Sequence, residues 1–407
     1  MTSNFKLTLL SSVAAAAVTM MAAGTANATF GMLPHCVGTV KCGMGGAGSA
    51  KAAAAVDAAA NPALAAKMGN TYQVNLGYFK ADVKGMSTFG SGTEQTSSAD
   101  GFPNGSLGVN YKLDENSSFN LSIVPGGGGA SDWASSRTNG VFGTGATNDQ
   151  HVTYEMMYIQ PSYAIKMGTA SYGVGAILSR ATMNTDSVDG TFAPTPNPST
   201  DETFYGVGLQ VGGVWDIKEN GSFAVNLRSP VWHQKAGSYD GNVFTDPIDT
   251  PAQALVGVAF DVTDSTMLAF DAKWVGWSKG NTIGNSPVAG ASAGFGWEDQ
   301  VIFMIGVEHD VDEALTLRAG YSHGNSPITE GTVVANFLFP AIVEDHFTVG
   351  ASYDIGGGMV LGASAYYAPE KKLVDDGSVM GGFGPGSTGS YLTHSQKGFQ
   401  VSFSNEF

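Results

Sequence analysis

From residue 72 to the end of the chain, short segments of alternating apolar and polar residues recur. Each has about ten residues, the length at which a tilted β-strand crosses a membrane with one face toward lipid and one toward a lumen. The apolar positions of each segment are expected on the lipid face. The fourteen segments are centred on residues 72–78, 107–111, 119–123, 152–158, 172–178, 205–214, 223–227, 254–260, 268–274, 301–307, 315–321, 347–353, 359–367 and 399–407.

The connections between these segments alternate in length. After even segments they are short, as at residues 114–116 and 263–264, and after odd segments they are long. Bacterial outer-membrane barrels combine short periplasmic turns with long external loops, whereas a soluble sandwich or propeller gives no reason for this alternation. The pattern therefore predicts an all-β fold, a transmembrane antiparallel β-barrel of about fourteen strands over residues 71–407. An even strand number places both termini in the periplasm.

The first residues have the pattern of an export signal. Lys6 precedes an apolar stretch at residues 7–23, and Ala26-Asn27-Ala28 follows as a small-residue cleavage site. This arrangement predicts a signal peptide at 1–28 and a mature chain that starts at Thr29. An uncleaved anchor is disfavoured because the apolar run is short for a membrane span.

Composition excludes several classes of function. The 35 acidic and 19 basic residues give a net charge of −16, which disfavours nucleic acid as a partner. No G-x-S-x-G elbow accompanies the seven histidines, and no other catalytic group is evident. We therefore expect no enzyme, no cofactor and no metal. The terminal Phe407 is in phase with the lipid face of the last segment, a feature that the barrel-insertion machinery recognises.

Two cysteines, Cys36 and Cys42, lie near the mature N-terminus. The periplasm is oxidising, so a disulfide between them is expected. A metal site that also uses His35 is the alternative, but three clustered ligands are too few for a structural zinc site.

Residues 29–70 precede the first strand and are rich in Gly and Ala. A low-complexity periplasmic tail is one interpretation. The other is a mostly helical or irregular plug, here called the hatch, because small residues allow a chain to fold tightly inside a pore. Eight strands already fill their own lumen with side chains, so fourteen enclose space that something else must occupy.

Several short motifs follow one another along the chain. Near the mature N-terminus these are residues 31–35, the glycine-rich run 43–50 with Gly45 and Gly46, and Asn61-Pro62-Ala63. In the strand region they are residues 228–231 (R-S-P-V), 271–278, 317–321 with 326–328, and 345–353. In this order they resemble the FadL/TodX family of outer-membrane transporters, and the N-terminal group resembles the family's hatch. The resemblance covers about residues 29–407. Cys36 and Cys42 depart from the general family pattern.

The resemblance implies passive uptake of small hydrophobic molecules, such as long-chain fatty acids or aromatic hydrocarbons, by a monomer. A solute would land in an external groove, move to a site bounded by the hatch and leave sideways through a kink in the third strand. A general porin and a non-transporting structural or adhesive barrel are the alternatives, since fold alone does not fix function.

The kink is mapped to Pro125, Gly126, Gly127 and Gly128, since Pro and Gly inside a strand mark bulges. The alternative is that these glycines begin the second external loop. Phe30, Met32 and Leu33 are candidate ligand contacts, because the family's N-terminus approaches the deep site. Packing of the hatch against the wall is the other role open to them.

Strand phase places Asp271, Lys273, Arg318 and His346 in the lumen, because a charge facing lipid at mid-membrane costs roughly 2–4 kcal/mol. Lys273 or Arg318 is expected either to hold a fatty-acid carboxylate or to pin the hatch, and Arg228 is open to both roles. The apolar run at residues 333–343 lines the capture groove or sits in the lipopolysaccharide layer, which with the outer-membrane lipid is an expected partner.

Overall fold

The computed structural model describes residues 29–88, 92–133, 150–185, 201–217, 220–237, 246–287, 294–379 and 384–407. The predicted signal peptide, residues 1–28, lies outside these ranges. No helix in the described part of the chain is long and apolar enough to cross a membrane.

Within the described residues, fourteen strands pair side by side into one closed antiparallel barrel. The ends meet where β1 pairs with β16, from Thr71 opposite Glu406 to Met86 opposite Tyr391. Two short strands, β2 (Gln95–Thr96) and β9 (Trp232–His233), pair with the wall from external loops. The barrel strands are β1 Thr71–Met86, β3 Gly101–Lys112, β4 Ser117–Trp133, β5 Gln150–Met167, β6 Ala170–Thr185, β7 Glu202–Ile217, β8 Gly221–Arg228, β10 Gln253–Thr263, β11 Thr266–Val275, β12 Gln300–Asp310, β13 Leu315–Gly324, β14 Asp345–Gly356, β15 Met359–Val374 and β16 Tyr391–Glu406.

The predicted fold is confirmed, including the position of every strand and the alternation of connection lengths. Turns such as residues 113–116 and 264–265 are short, whereas the connections at 229–252 and 276–299 are long. Most strands expose apolar side chains outward, as Leu209 and Phe303 do, which suits a lipid-facing surface. Phe407 is exposed in phase with this surface.

Strand β5 departs from the expected facing. The apolar positions Tyr154, Met156 and Tyr158 point into the lumen and are almost fully buried. The reason is that loop segments fold into the external half of the barrel and need apolar partners. The hydroxyl of Tyr158, for example, donates to Oγ1 of Thr250 (3.1 Å) in the connection between β8 and β10.

The hatch occupies the lumen as three short helical pieces: α1 (Thr39–Gly43), η1 (Ala55–Ala59) and η2 (Pro62–Lys67). Its backbone lies directly against glycines of the wall. A Cβ added at Gly173 of β6 would lie 2.4 Å from Pro62, and one at Gly320 of β13 would lie 2.1 Å from Met44. These distances are too short for any side chain, so the wall glycines let the hatch approach the strands.

A second segment, residues 333–343, closes the lumen from the external side and is here called the apex loop. It contains η4 (Val334–Asn336), and its apolar side chains are buried. The indole Nε1 of Trp133 donates to the carbonyl of Phe337 (2.9 Å), which fixes the apex loop to the end of β4. The interpretation that this run sits in the lipopolysaccharide layer is therefore wrong. Two further 3₁₀ turns, η3 (Trp277–Lys279) and η5 (Gly384–Ser387), lie in external connections.

Candidate functional site

Strand β4 is kinked but continuous. Its pairing with β5 runs from Ser117 to Trp133, with a bulge between Pro125 and Gly127. Gly127 (φ +131°) and Gly128 (φ +153°) adopt backbone conformations that residues with a side chain rarely reach. The glycines therefore lie inside the strand, and the interpretation that they begin the second external loop is wrong.

The other edge of β4 separates from its neighbour at the same level. Strands β3 and β4 pair only where residues 107–112 face residues 118–123. Toward the external end, residues 101–106 of β3 have no β4 partner among the described strand pairs, although all six of them pair with β1. Hydrogen bonds close this gap again at the top, where the amide of Ser98 donates to the carbonyl of Asp132 (2.8 Å). We call the space between residues 101–106 and 124–131 the window.

The tip of the hatch lies against the window. Phe30 and Leu33 form a two-residue bridge, and both side chains are buried with Met32. The amide of Gly128 donates to the carbonyl of Met32 (2.8 Å). A small cavity of about 20 Å³ on the β3 side of the window is lined by Pro34, Cys36 and other residues of the tip, together with Asn104 and Pro125.

Cys36 and Cys42 are joined by a disulfide, which ties the tip to α1. His35 Nε2 lies 2.9 Å from Cys36 Sγ. The three residues are close enough to be considered as metal ligands, but both sulfurs are used in the covalent bond. The disulfide therefore leaves a single imidazole, which is not a metal site.

A cavity of about 110 Å³ lies between the hatch and the wall, directly inside the kink, and is here called the central cavity. One side is apolar, with Phe30 and Leu33 of the tip facing Ile302 and Met304 of β12. The cavity reaches the window at Val124, Pro125 and Gly126. Its polar side chains include Lys41 and Asp57 of the hatch and residues of β5, β8, β10 and β11: Gln160, Asn226, Arg228, Gln253 and Lys273.

The three cationic side chains that line this cavity differ in whether they have hydrogen-bond or ion-pair partners. Lys41 lies 3.6 Å from Asp57 and donates to two hatch carbonyls, so this cation has partners. Arg228 donates to the carbonyl of Ala59 (2.7 Å) and to Gln210 (3.1 Å), so it anchors η1. Lys273 makes no hydrogen bond or ion pair with any residue that the structure describes.

The buried amide of Gln160 also has an unpartnered Nε2 among the described residues. An unpaired ammonium and an unpaired amide donor next to the apolar side of this cavity can together bind an anionic group.

The other predicted lumen charges have structural roles. Arg318 donates to Glu308 (2.6 Å) and to Ser352 (2.6 Å), both on the wall, and does not line the central cavity. Asp271 accepts a hydrogen bond from the amide of Ser49 (2.9 Å) and pins the hatch to β11. His346 is fully buried and stacks on His35 at 4.9 Å between ring centroids.

The remaining hatch motif residues are also structural. Asn61 accepts from the amide of Ala63 (3.1 Å) and caps η2, with Pro62 at its first position. Gly45 and Gly46 have positive φ, and a Cβ on Gly45 would lie 2.7 Å from the backbone of Tyr321.

Residues that sequence reasoning missed include Gln160, Asn110 and Asn120. The last two donate from the wall to the carbonyls of Ala65 (3.1 Å) and Ala55 (2.9 Å). The sequence pattern that could have identified these residues is the placement of polar amides at lumen-facing positions of β3, β4 and β5.

The plugged barrel and the order of the hatch motifs agree with one sequence family. The profile described as outer membrane protein transport protein (OMPP1/FadL/TodX) matches residues 18–374. The chain belongs to this family. The OMPP1/FadL/TodX family consists of outer-membrane channels that transport hydrophobic compounds, not of enzymes, and this chain is an outer-membrane β-barrel of that kind.

Solved structures of similar fold include members of the same family. The chain is similar to the toluene transporter TodX of Pseudomonas putida, with 15% identity and a TM-score of 0.70 over 92% of this chain and 99% of the other. A FadL homologue of Pseudomonas aeruginosa has 18% identity and a TM-score of 0.67 over 93% and 100% of the two chains. The Ralstonia pickettii toluene transporter TbuX has 18% identity and a TM-score of 0.65 over 92% and 99%. A comparison with curated proteins finds no match.

Proposed function

We propose that this member of the OMPP1/FadL/TodX family takes up a small hydrophobic molecule with an anionic head, such as a long-chain fatty acid, and releases it sideways through the window. No energy source is coupled to the channel, so net flow follows the concentration gradient. The solute passes the apex loop, occupies the central cavity, and leaves between β3 and β4 into the membrane.

The observation that carries the proposal is the interrupted pairing of β3 and β4 next to the central cavity. An open strand edge facing lipid leaves backbone groups unsatisfied, and each costs several kcal/mol in hydrocarbon. Here the cost is reduced, because hatch groups satisfy part of that edge, as the carbonyl of Met32 does for Gly128. A gap maintained in this way gives an apolar solute a route that avoids the polar periplasmic mouth.

The polar lining of the periplasmic end of the barrel argues against an exit along the barrel axis for hydrophobic molecules. A hollow of about 610 Å³ at the periplasmic end is lined by Lys51, Lys67, Lys112 and Lys166, together with acidic partners such as Asp216. An apolar solute leaving this way would enter water directly, whereas the window opens toward hydrocarbon. The hatch and the apex loop also fill much of the described lumen, which disfavours a general porin.

The charge of the central cavity supports the anionic head group. Lys273 and Arg228 face the cavity with a single acidic side chain, Asp57, which lies beside Lys41. A neutral aromatic hydrocarbon would leave the ammonium of Lys273 without a partner. A carboxylate would accept charge-assisted hydrogen bonds from it, while the alkyl chain packs on the apolar side.

Closing the window covalently tests lateral exit. Leu107 and Ile123 form the last paired rung, so Ser106→Cys with Val124→Cys places a cysteine pair on the first open rung. The background carries Cys36→Ser and Cys42→Ser, so that reductant acts only on the new bond. A matched control places cysteines on an existing rung, as Val109→Cys with Leu121→Cys.

Uptake of labelled oleate by cells that depend on this protein is expected to fall severalfold when the window pair is oxidised and to recover on reduction. The control pair is expected to have no effect. Equal uptake with the window bond formed would overturn lateral exit. Failure of the wild type to take up oleate, with toluene taken up instead, would overturn the anionic solute.

A further inference from the structure

Two lysines lie directly opposite each other on the outer surface, at the seam that closes the barrel. Lys80 of β1 and Lys397 of β16 are register partners, and both side chains are exposed. Like charges in this position destabilise a strand pair unless something neutralises them. Asp100 lies 3.0 Å from Lys80, but no hydrogen bond or ion pair reaches Lys397 from the described residues.

The pair sits where the apolar outer face ends. On β1 the outward residues run from Leu76 to Tyr78 and then to Lys80, and on β16 Phe399 is followed by Lys397. The register partner of Lys397 on β15 is Tyr367, an exposed aromatic residue. Aromatic side chains at the edge of an apolar band mark the membrane–water interface of a barrel, so the lysines are at the level of lipid head groups.

Further cations share this surface. Lys372 on β15 is exposed, and its Nζ lies 3.7 Å from the ring centroid of Tyr391. Lys84 lies four residues after Lys80 on β1 and therefore on the same face of the strand. Acidic groups are interspersed, including Asp82 and Glu370, so the surface as a whole is mixed. Within the pair, Lys80 already has Asp100 as a partner, so the cation without an acidic partner among the described residues is Lys397.

We propose that Lys80 and Lys397 bind a phosphate of lipid A in the outer leaflet of the outer membrane. Two ammonium groups on facing strands fit the oxygens of one phosphate monoester, and the acyl chains would lie along the apolar outward faces of β1 and β16. The proposal rests on the orientation in which the long loops are external, and it does not depend on which solute is transported. The bound lipid would lie beside β3, whose Gly101 pairs with Lys80 at the upper end of the window.

The test measures lipid binding to the purified full-length protein in detergent by native mass spectrometry. The probes are diphosphoryl lipid A, the same lipid A without phosphates, and phosphatidylglycerol. Lys80→Gln with Lys397→Gln is the test variant. Lys112→Gln with Lys166→Gln, at the opposite end of β3 and β5, removes the same charge and is the control.

We expect the wild type and the control variant to bind diphosphoryl lipid A more tightly than either of the other two probes. Each lysine removed from the pair is expected to weaken the binding of diphosphoryl lipid A about fivefold. Heat-modifiable mobility on gels verifies that all variants remain folded barrels. Equal binding of lipid A with and without phosphates overturns the proposal. So does equal binding of phosphatidylglycerol, or a test variant that binds as the wild type does. Oleate uptake by the test variant reports separately on transport.

Discussion

The amide of Gly128 in the wall donates a hydrogen bond to the carbonyl of Met32 in the hatch, with a nitrogen–oxygen distance of 2.8 Å. This bond connects the kink of β4 to the tip that borders the central cavity. It depends on glycine, because a Cβ on Gly127 would lie 2.2 Å from the same carbonyl. Wall and hatch therefore meet at the window without an intervening side chain.

Gly127→Val is expected to displace the hatch tip and to reduce uptake of the transported solute at least severalfold. The added side chain collides with Met32, and a non-glycine residue at this φ costs about 1–3 kcal/mol. The barrel should survive that cost, since many wall contacts remain. Gly69→Ala is the matched control, because a Cβ there meets nothing within 4 Å. Unchanged uptake by Gly127→Val at equal amounts of folded barrel would contradict the role of the kink.

Asp271→Ala is expected to loosen the hatch. It removes the acceptor of the Ser49 amide, and a buried donor left unsatisfied costs about 1–3 kcal/mol. Cells carrying the variant should become more permeable to small polar antibiotics, measured as a lower inhibitory concentration. Asp271→Asn keeps an acceptor oxygen and should leak less than Asp271→Ala. Two equally leaky variants would mean that the charge, not the hydrogen bond, holds the hatch.

The barrel could be predicted from sequence because period-two alternation and turn residues are local signals. Outward positions such as Phe303 report the lipid environment directly. Strand β5 is the exception, because the aromatic side chains of Tyr154 and Tyr158 point into the lumen and not toward lipid. Alternation alone cannot tell a lipid-facing aromatic residue from one that packs against an inserted loop.

The site could be predicted only in part, for a related reason. The alternation of side chains along each strand identified Arg318 and Lys273 as lumen residues. Their roles, however, depend on which residues lie next to them on the adjacent strands. Arg318 meets Glu308 because those two residues are register partners on β12 and β13. The register partners of Lys273, in contrast, are the apolar residues Leu255 and Ile302, which offer its ammonium no acceptor. Register between strands and the path of the hatch are set by long-range packing, which one sequence does not specify.

Lys273→Met is expected to separate anionic from neutral solutes. It keeps the length and apolar stem of the side chain and removes the ammonium. Affinity of the purified protein for oleate should fall about tenfold or more, since a hydrogen bond to a charged group contributes about 1.5–3 kcal/mol. Affinity for methyl oleate should not fall. Calorimetric titration of both ligands measures this, with Lys166→Met as the exposed control. An equal loss for acid and ester would show that Lys273 acts by packing and not by charge.

Cys36→Ser with Cys42→Ser is expected to loosen the hatch tip without unfolding the barrel. The disulfide closes a loop with a sequence separation of 6, for which chain entropy predicts a stabilisation of about 2 kcal/mol. The effect should stay local, because the tip and α1 contact the wall independently, as Thr39 does through Ser402 (2.7 Å). Hydrogen exchange should therefore rise at residues 29–43, while exchange in β14 to β16 stays unchanged. Faster exchange throughout the wall would contradict a local tether and indicate that the disulfide supports the barrel as a whole.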